Sequence, residues 1–334
     1  MRETTKRLKF AQVEEFRRGF LRSVLLFLTD RCPVGCSHCS VDSRPNSPSI
    51  DNFSEFDELV DAIAALTEVE LVGISGGEPF VERRGLKTSV AKLRRANKLI
   101  VLYTSGIWAT RGVPPWVEEI LAETSAVFLS TDAFHSAKIG KEAFVRAART
   151  VSAQGPGLIV QVVDQAAMVD DATNLLAAAF GQYWEEYAEL HRVPPLPYGR
   201  GEGVFSRSSS TRGSQFGPCT ALAAPVIRYD GVVTACCNEQ IITGHGPDRL
   251  RRRVGSDSLD AAMASITADP FLQAMRAVGP GPLTAHPRLA SLATEHFHNI
   301  CDLCWKASDR FPLADSLSDP ALNHLLMVVR DVGP

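Results

Sequence analysis

Along the first two-thirds of the chain, short apolar runs alternate with stretches whose apolar residues recur at helical spacing. The runs at Val24–Thr29, Leu71–Ser75, Leu99–Thr104, Val127–Thr131, Leu158–Val163 and Ala188–Val193 read as strands. Phe56–Leu66, Ser89–Ala96, Pro115–Ala122, Lys141–Ala153 and Asp170–Phe180 read as helices, with Pro115 in a helix-opening position. Strands that alternate with helices pair in parallel through right-handed crossovers, which implies an α/β barrel or part of one. Ligands bind such folds at the C-terminal ends of the strands.

From Gly199 the pattern changes. Gly199-Arg-Gly-Glu-Gly203 and the serine-rich Ser206–Ser214 read as an exposed linker. The spaced glycines echo a phosphate loop, but no helical pattern follows them. Pro225–Tyr229, Asp230-Gly231 and Val232–Ala235 then read as a hairpin with its turn signal, and Leu259–Ile266 and Pro270–Val278 as helices. Residues 1–23 carry Arg2, Lys6, Arg7, Lys9, Arg17, Arg18 and Arg22 against three acids. They read as a solvated amphipathic helix rather than a binding arm. The expected domains are an N-terminal helical extension (1–23), a barrel (24–200), a linker (201–218), a small cysteine-rich domain (219–310) and a tail (311–334).

Composition narrows the class. The chain has 334 residues, 45% of them hydrophobic and 22% charged, enough for a large core in two or three domains. Thirty-five Lys and Arg oppose 38 Asp and Glu, a net charge of −3, which argues against coating nucleic acid or an anionic membrane. Apolar runs such as Val24–Leu28 are too short to cross a bilayer. No apolar segment follows the charged Met-Arg-Glu-Thr-Thr-Lys-Arg opening, so no secretory signal is read there. The expectation is a cytoplasmic enzyme with neither a membrane nor a nucleic-acid partner.

Eight cysteines sharpen that expectation: Cys32, Cys36, Cys39, Cys219, Cys236, Cys237, Cys301 and Cys304. In a reducing compartment such clusters more often bind metal than form disulfides. Cys32-x3-Cys36-x2-Cys39 follows the first strand. Three thiolates on one short loop hold three irons of a four-iron cube and leave the fourth open, like the vacant position of a catalytic metal. Structural zinc would need a fourth ligand, and the only nearby candidate, His38, sits badly between two others.

With this triplet after its first strand, the chain resembles the radical S-adenosylmethionine superfamily. Gly73-Ile-Ser-Gly76-Gly77-Glu78-Pro79, one β/α unit later, resembles the family's Gly-Gly-Glu-Pro segment. Paired glycines let a backbone approach a ligand without a Cβ in the way. The resemblance implies a partial (β/α)6 TIM-like barrel, a [4Fe-4S] cluster on Cys32, Cys36 and Cys39, and S-adenosylmethionine at the open iron. Ser75, Gly76, Gly77 and Glu78 are the implied contacts to that cosubstrate. Tyr103-Thr104-Ser105-Gly106 resembles the family's Thr-Asn-Gly, and Ser130-Thr131-Asp132 its Ser-x-Asp, adding Thr104, Ser130 and Asp132 as candidates. His38 takes the place of the usual aromatic residue beside adenine. The family's glycine-rich motif on the fifth strand is not evident in Leu158–Gln165.

Cys219-x11-Gly231-x4-Cys236, followed by Cys301-x2-Cys304, resembles the opening of the twitch and SPASM auxiliary-cluster domains. The shorter twitch pattern fits better, since a full SPASM domain has seven cysteines. The resemblance implies a second [4Fe-4S] cluster on Cys219, Cys236, Cys301 and Cys304 in a small α+β domain, with Cys237 as the alternate to Cys236. A structural zinc site on the same cysteines stays open, because His296-x-His298-x2-Cys301-x2-Cys304 has zinc-like spacing.

The implied reaction is reductive cleavage of S-adenosylmethionine to a 5′-deoxyadenosyl radical, fed by a flavodoxin- or ferredoxin-type donor, with hydrogen abstraction from a substrate. An auxiliary cluster that accepts an electron favours net oxidation or crosslinking, with Asp132, Glu186 and Glu239 as possible proton acceptors. Relatives with such domains act on ribosomally made peptides or on small metabolites of aminocyclitol or nucleotide type. Only some 23 residues precede the first strand, too few for a separate leader-binding domain. The reading is a peptide-modifying oxidase, with a small-molecule dehydrogenase and a non-catalytic iron–sulfur sensor as alternatives.

Overall fold

The computed structural model describes residues 6–207, 210–255 and 258–332. Arg2, Ser208, Ser209 and the last two residues of the tail therefore lie outside the described residues. The chain divides into two compact units, one of residues 1–205 with 227–231, the other of 206–226 with 232–334.

In the first unit, β1 (Ser23–Phe27), β2 (Leu71–Ser75), β3 (Leu99–Thr104), β4 (Ala126–Ser130), β5 (Gly157–Val163) and β6 (Ala188–Val193) pair in sequential order, every pair parallel. They are the six expected strands, with shifts of one or two residues at several ends. The helices are α1 (Phe10–Arg18), α2 (Phe53–Ala65), α3 (Arg83–Arg95), α4 (Pro115–Ala122), α5 (Ala133–Ile139), α6 (Lys141–Gln154) and α7 (Ala166–Phe180). The residues of β1–β5 are almost wholly buried on both faces, as a parallel sheet covered by helices requires, while β6 is half-exposed. This α/β architecture is the parallel barrel anticipated from the alternation.

Three helices start earlier than their apolar spacing indicates. Asn52 accepts from the amides of Ser54 and Glu55 (3.1 and 3.3 Å) and so opens α2 before its first buried residue, Phe56. The polar first turns of α3 and α7 carry no apolar signal. The basic segment contributes α1 alone, whose Val13 and Phe16 are buried against Leu71, Val101, Phe128 and Ile159. One face of this helix is therefore core, as an amphipathic helix presents.

The second unit contains β7 (Thr211–Arg212), β8 from Val226 to Arg228 where its first residue enters, β9 (Val232–Thr234), β10 (Arg251–Arg253) and β11 (His296–Phe297). Its helices are α8 (Glu239–Ile242), α9 (Leu259–Thr267), α10 (Pro270–Ala277), α11 (Pro280–Leu283), α12 (Ile300–Arg310), α13 (Leu313–Ser318) and α14 (Pro320–Val332). A buried cation organises it. Arg249 forks onto Asp269 (2.9–3.1 Å) and donates to Ser316 Oγ (2.9 Å) and the Phe311 carbonyl. Asp269 also caps α10 through the Phe271 amide, so one carboxylate ties a helix start to the buried guanidinium. Among the described residues no helix is long and apolar enough to cross a membrane.

Candidate functional site

The cysteine loop leaves β1 at its C-terminal end. Cys32 and Cys36 are buried and Cys39 is half-buried. The Cys32 amide donates to the Arg44 carbonyl (3.0 Å) and the Cys39 amide to the Cys36 carbonyl (3.3 Å), folding the triplet into a compact turn. Burial, with the nearby Glu78 carboxyl adding to it, pushes the Cys32 thiol up to about 12. A thiol so placed keeps its proton near neutral pH until a metal takes the proton's place and releases it to a base or to water.

Gly76 and Gly77 lie close against the backbone that leads into Cys32. A Cβ on Gly76, whose φ is +147°, would stand 2.5 Å from the Thr29 carbonyl oxygen, and one on Gly77 would stand 2.3 Å from that of Arg31. The amides of Gly77 and Glu78 donate to the carbonyls of Thr29 (2.7 Å) and Arg31 (2.8 Å). The pair thus seats the segment after β2 on the three residues that lead into Cys32.

Glu78 is fully buried. Its carboxyl accepts from Thr104 Oγ1 (2.8 Å), Ser105 Oγ (2.6 Å) and the amides of Ser105 (2.9 Å) and Phe80 (3.2 Å), joining the ends of β2 and β3. Burial raises its pKa, and these hydrogen bonds pull it back in part. Thr104 also accepts from the Gly106 amide and Trp108 Nε1. Ser105 enters this network although only Thr104 was singled out beforehand; its place beside Thr104 was the available signal.

At the end of β4, Asp132 caps α5 by accepting from the amides of Phe134 (2.8 Å) and His135 (3.0 Å). It also holds two imidazoles, with Oδ2 3.2 Å from His38 Nε2 and Oδ1 2.9 Å from His135 Nδ1, the latter without hydrogen-bond alignment. Burial alone would raise the carboxyl, but His135 and His38 hold it far below the carboxylate range. His135 moves the other way: burial opposes its charge, while Asp132 and the Cys36 sulfur favour it and leave its pKa raised. His38 stacks on Phe134 (4.5 Å between centroids), with Phe205 edge-on at 6.1 Å, and its Nδ1 is buried without a partner. A cavity of about 320 Å³ opens beside Asp132 and His135, with Ser130, Thr131, Lys141 and Asp171 in its wall.

Ser75, Gly76, Gly77, Glu78, Thr104, Ser130, Asp132, His38 and the three cysteines therefore gather at the C-terminal ends of β1–β4. The donor set fits a four-iron cube with an open corner: three thiols within eight residues, and beside them an orphaned imidazole nitrogen. Among the described residues, the three ligand-type side chains whose atoms lie within 4.8 Å of one another are His38, Asp132 and His135. His135 and Phe134 were missed; Asp132 followed by a helical turn was the capping signal that reveals them. Glu186 is exposed in the turn before β6, at the opposite end of the strands, and does not join the site.

In the second unit, Cys219 precedes a helical turn and donates its amide to the Met275 carbonyl (3.0 Å). Cys236 follows β9, and Cys301 and Cys304 lie one turn apart on α12, which Asn299 caps at the Asp302 amide (2.9 Å). Burial raises all four thiols, Cys301 to about 12, and the sulfurs also act on each other. Cys236 senses Cys237, Cys301 and Cys304, while Cys304 senses Cys219 and Cys301. Glu239 opens α8 and is raised by burial; it acts on Cys301. His296 and His298 are exposed.

Residues 26–163 match the Radical SAM superfamily, a family whose members use a [4Fe-4S] cluster and S-adenosylmethionine. The chain is 29% identical over 87 residues to the "Putative peptide biosynthesis protein YydG" of Bacillus subtilis (strain 168), covering 26% of this chain and 27% of that one. It is 34% identical over 91 residues to a "GTP 3′,8-cyclase" of Heliobacterium modesticaldum, covering 25% and 27%. The matches thus span about a quarter of these relatives. A solved structure, "Native anSMEcpe with bound AdoMet and Cp18Cys peptide", aligns with 93% of this chain and 99% of its own at a TM-score of 0.50 and 13% identity. That likeness is one of fold.

Proposed function

We propose that this chain modifies a ribosomally made peptide by radical chemistry, oxidising or crosslinking it. Cys32, Cys36 and Cys39 would hold the catalytic cluster, and Ser75–Glu78, Thr104, Ser130, Asp132 and His38 would surround S-adenosylmethionine. When bound, that pair supplies a 5′-deoxyadenosyl radical able to take hydrogen from an unactivated carbon. Glu78 and Asp132 serve this chemistry mainly by fixing strand ends and imidazoles, since their oxygens are already engaged. The buried thiols exclude water from the ligand loop. Cys219, Cys236 or Cys237, Cys301 and Cys304 would hold an auxiliary cluster that takes the electron from the substrate. A flavodoxin- or ferredoxin-type protein would supply the first electron.

The observation that carries the peptide substrate is the likeness to the peptide biosynthesis protein over 87 residues. The similar likeness to a GTP cyclase supports a second reading, a small-metabolite enzyme acting on a nucleotide-like substrate. The deciding experiment uses anaerobically reconstituted protein with S-adenosylmethionine, dithionite and, in separate arms, any short peptide found encoded beside it or GTP. Loss of two hydrogens from the peptide, with 5′-deoxyadenosine formed, is expected. Turnover of GTP alone favours the second reading. Cluster absorbance with no 5′-deoxyadenosine in any arm leaves a redox sensor.

A further inference from the structure

Gly199–Gly203 was expected to be an exposed linker. Instead it is a helical turn lying against the cysteine loop, within the first unit. Arg200 is mostly buried and spends its whole guanidinium there. Nε donates to the Cys36 carbonyl (2.8 Å), Nη1 to Asp42 Oδ1 (2.6 Å) and Nη2 to the Ser43 carbonyl (3.0 Å). Its own amide donates to the Cys39 carbonyl (3.0 Å). One residue therefore binds the carbonyls of two of the three presumed iron ligands and the two residues at the end of their loop.

The flanking glycines make this approach possible. A Cβ on Gly199, where φ is +54°, would stand 2.6 Å from the carbonyl oxygens of both Cys39 and Ser40. One on Gly201 would stand 2.3 Å from the Leu196 carbonyl and 3.1 Å from that of His38. Only glycine lets the turn seat this closely. Asp42, the far anchor, has a left-handed backbone at φ +50° and is also held by Arg44 (2.9 Å).

We infer that Arg200 is a positioning residue that locks the cysteine loop in its iron-binding shape and sets the electrostatics of the cluster it holds. This rests on the assignment of Cys32, Cys36 and Cys39 as cluster ligands. The fork carries two separable properties. Its planar geometry joins three acceptors at once, which a lysine cannot reproduce. Its fixed positive charge lies beside an anionic thiolate cluster and eases the cluster's reduction.

The test compares reconstituted full-length protein with Arg200→Lys, Arg200→Ala and the Cys32/Cys36/Cys39→Ala triple variant. Two quantities are read besides activity: the rate of iron release to a chelator and the midpoint potential from an EPR-monitored titration. Arg200→Lys and Arg200→Ala should both release first-site iron about tenfold faster, as loss of the fork's hydrogen bonds predicts. Arg200→Ala should also shift the midpoint to a more negative potential, while Arg200→Lys stays near the parent. Circular dichroism and retained second-site iron report that each variant is folded, and Asp42→Ala, which removes one anchor, should give a smaller acceleration. Parental release rates in both Arg200 variants would overturn the inference. If the triple variant binds as much iron as the parent, it is the ligand assignment that fails, before Arg200 is tested at all.

Discussion

Glu78→Gln isolates the buried junction between β2 and β3. Each carboxyl oxygen accepts one backbone amide and one hydroxyl: Oε1 from Phe80 and Thr104, Oε2 from Ser105 twice. Whichever way the amide is turned, its NH2 faces a backbone N–H that it cannot accept. The hydroxyls can rotate, but Thr104 Oγ1 already accepts from Gly106 and Trp108. One buried donor is stranded at about 1–3 kcal/mol and a strong acceptor bond is lost, so the cost is about 2–4 kcal/mol. The assay is hydrogen exchange by mass spectrometry across residues 100–110, with urea unfolding of the metal-free protein. Protection of this segment should fall by one to three orders of magnitude, since about 1.4 kcal/mol is tenfold. Parental protection and an unchanged midpoint would refute the acceptor geometry. The same group gives a pH dependence. Its folded-state pKa lies above the unfolded value, so its contribution to stability is greatest at low pH and is lost as pH rises through the folded value. Glu78→Gln should flatten that slope.

Gly77→Ala forces a methyl into the Arg31 carbonyl and should cost about 1–3 kcal/mol and reduce first-site iron, measured by metal analysis of folded protein. Asp30 accepts from Arg228 Nη1 and Nη2 (3.1 and 2.9 Å) and from the Tyr229 hydroxyl (2.7 Å), two residues before Cys32. Asp30→Ala takes a carboxylate away from that buried cation and should lower stability by about 3 kcal/mol, read as a fall in the thermal midpoint. Changing Cys32, Cys36 and Cys39 to Ala together should abolish 5′-deoxyadenosine formation while second-site iron is kept. Cys236→Ala and Cys237→Ala should differ in second-site iron content; equal retention would mean that neither is indispensable.

The sheet was legible because a parallel strand buried on both faces writes its burial as a nearly uninterrupted apolar run, as in β2, β3 and β5, whereas β6, with Glu189, His191 and Arg192, is half-exposed and was read from its place in the alternation. Helix starts were less legible where polar caps and first turns precede the apolar stripe, as at Asn52 before α2. α5 was missed for a related reason: seven residues give too few turns for a period, and its marker is the single capping side chain of Asp132. Cys301 and Cys304 were visible as a pair, but not their place on a helix, because their spacing suits a loop as well as a helical turn.

The polar residues of the motifs were legible as positions and not as roles. Paired glycines signal close approach, yet spacing alone does not say to what, and here the nearest atoms are the carbonyls leading into Cys32. Gly199-Arg-Gly-Glu-Gly203 has the same ambiguity in stronger form. Its glycines and charges match the composition of an exposed connector, but left-handed φ at Gly199 and contact-limited space at Gly201 serve a turn pressed on the cysteine loop. A glycine chosen for flexibility tolerates a methyl group, whereas one chosen for contact does not. Gly203 has no atom within 4 Å of an added Cβ, so Gly203→Ala should leave iron binding unchanged. Gly199→Ala should reduce it in protein that remains folded. Equal iron in the two variants would return the segment to a connector and remove the contact account of both glycine pairs.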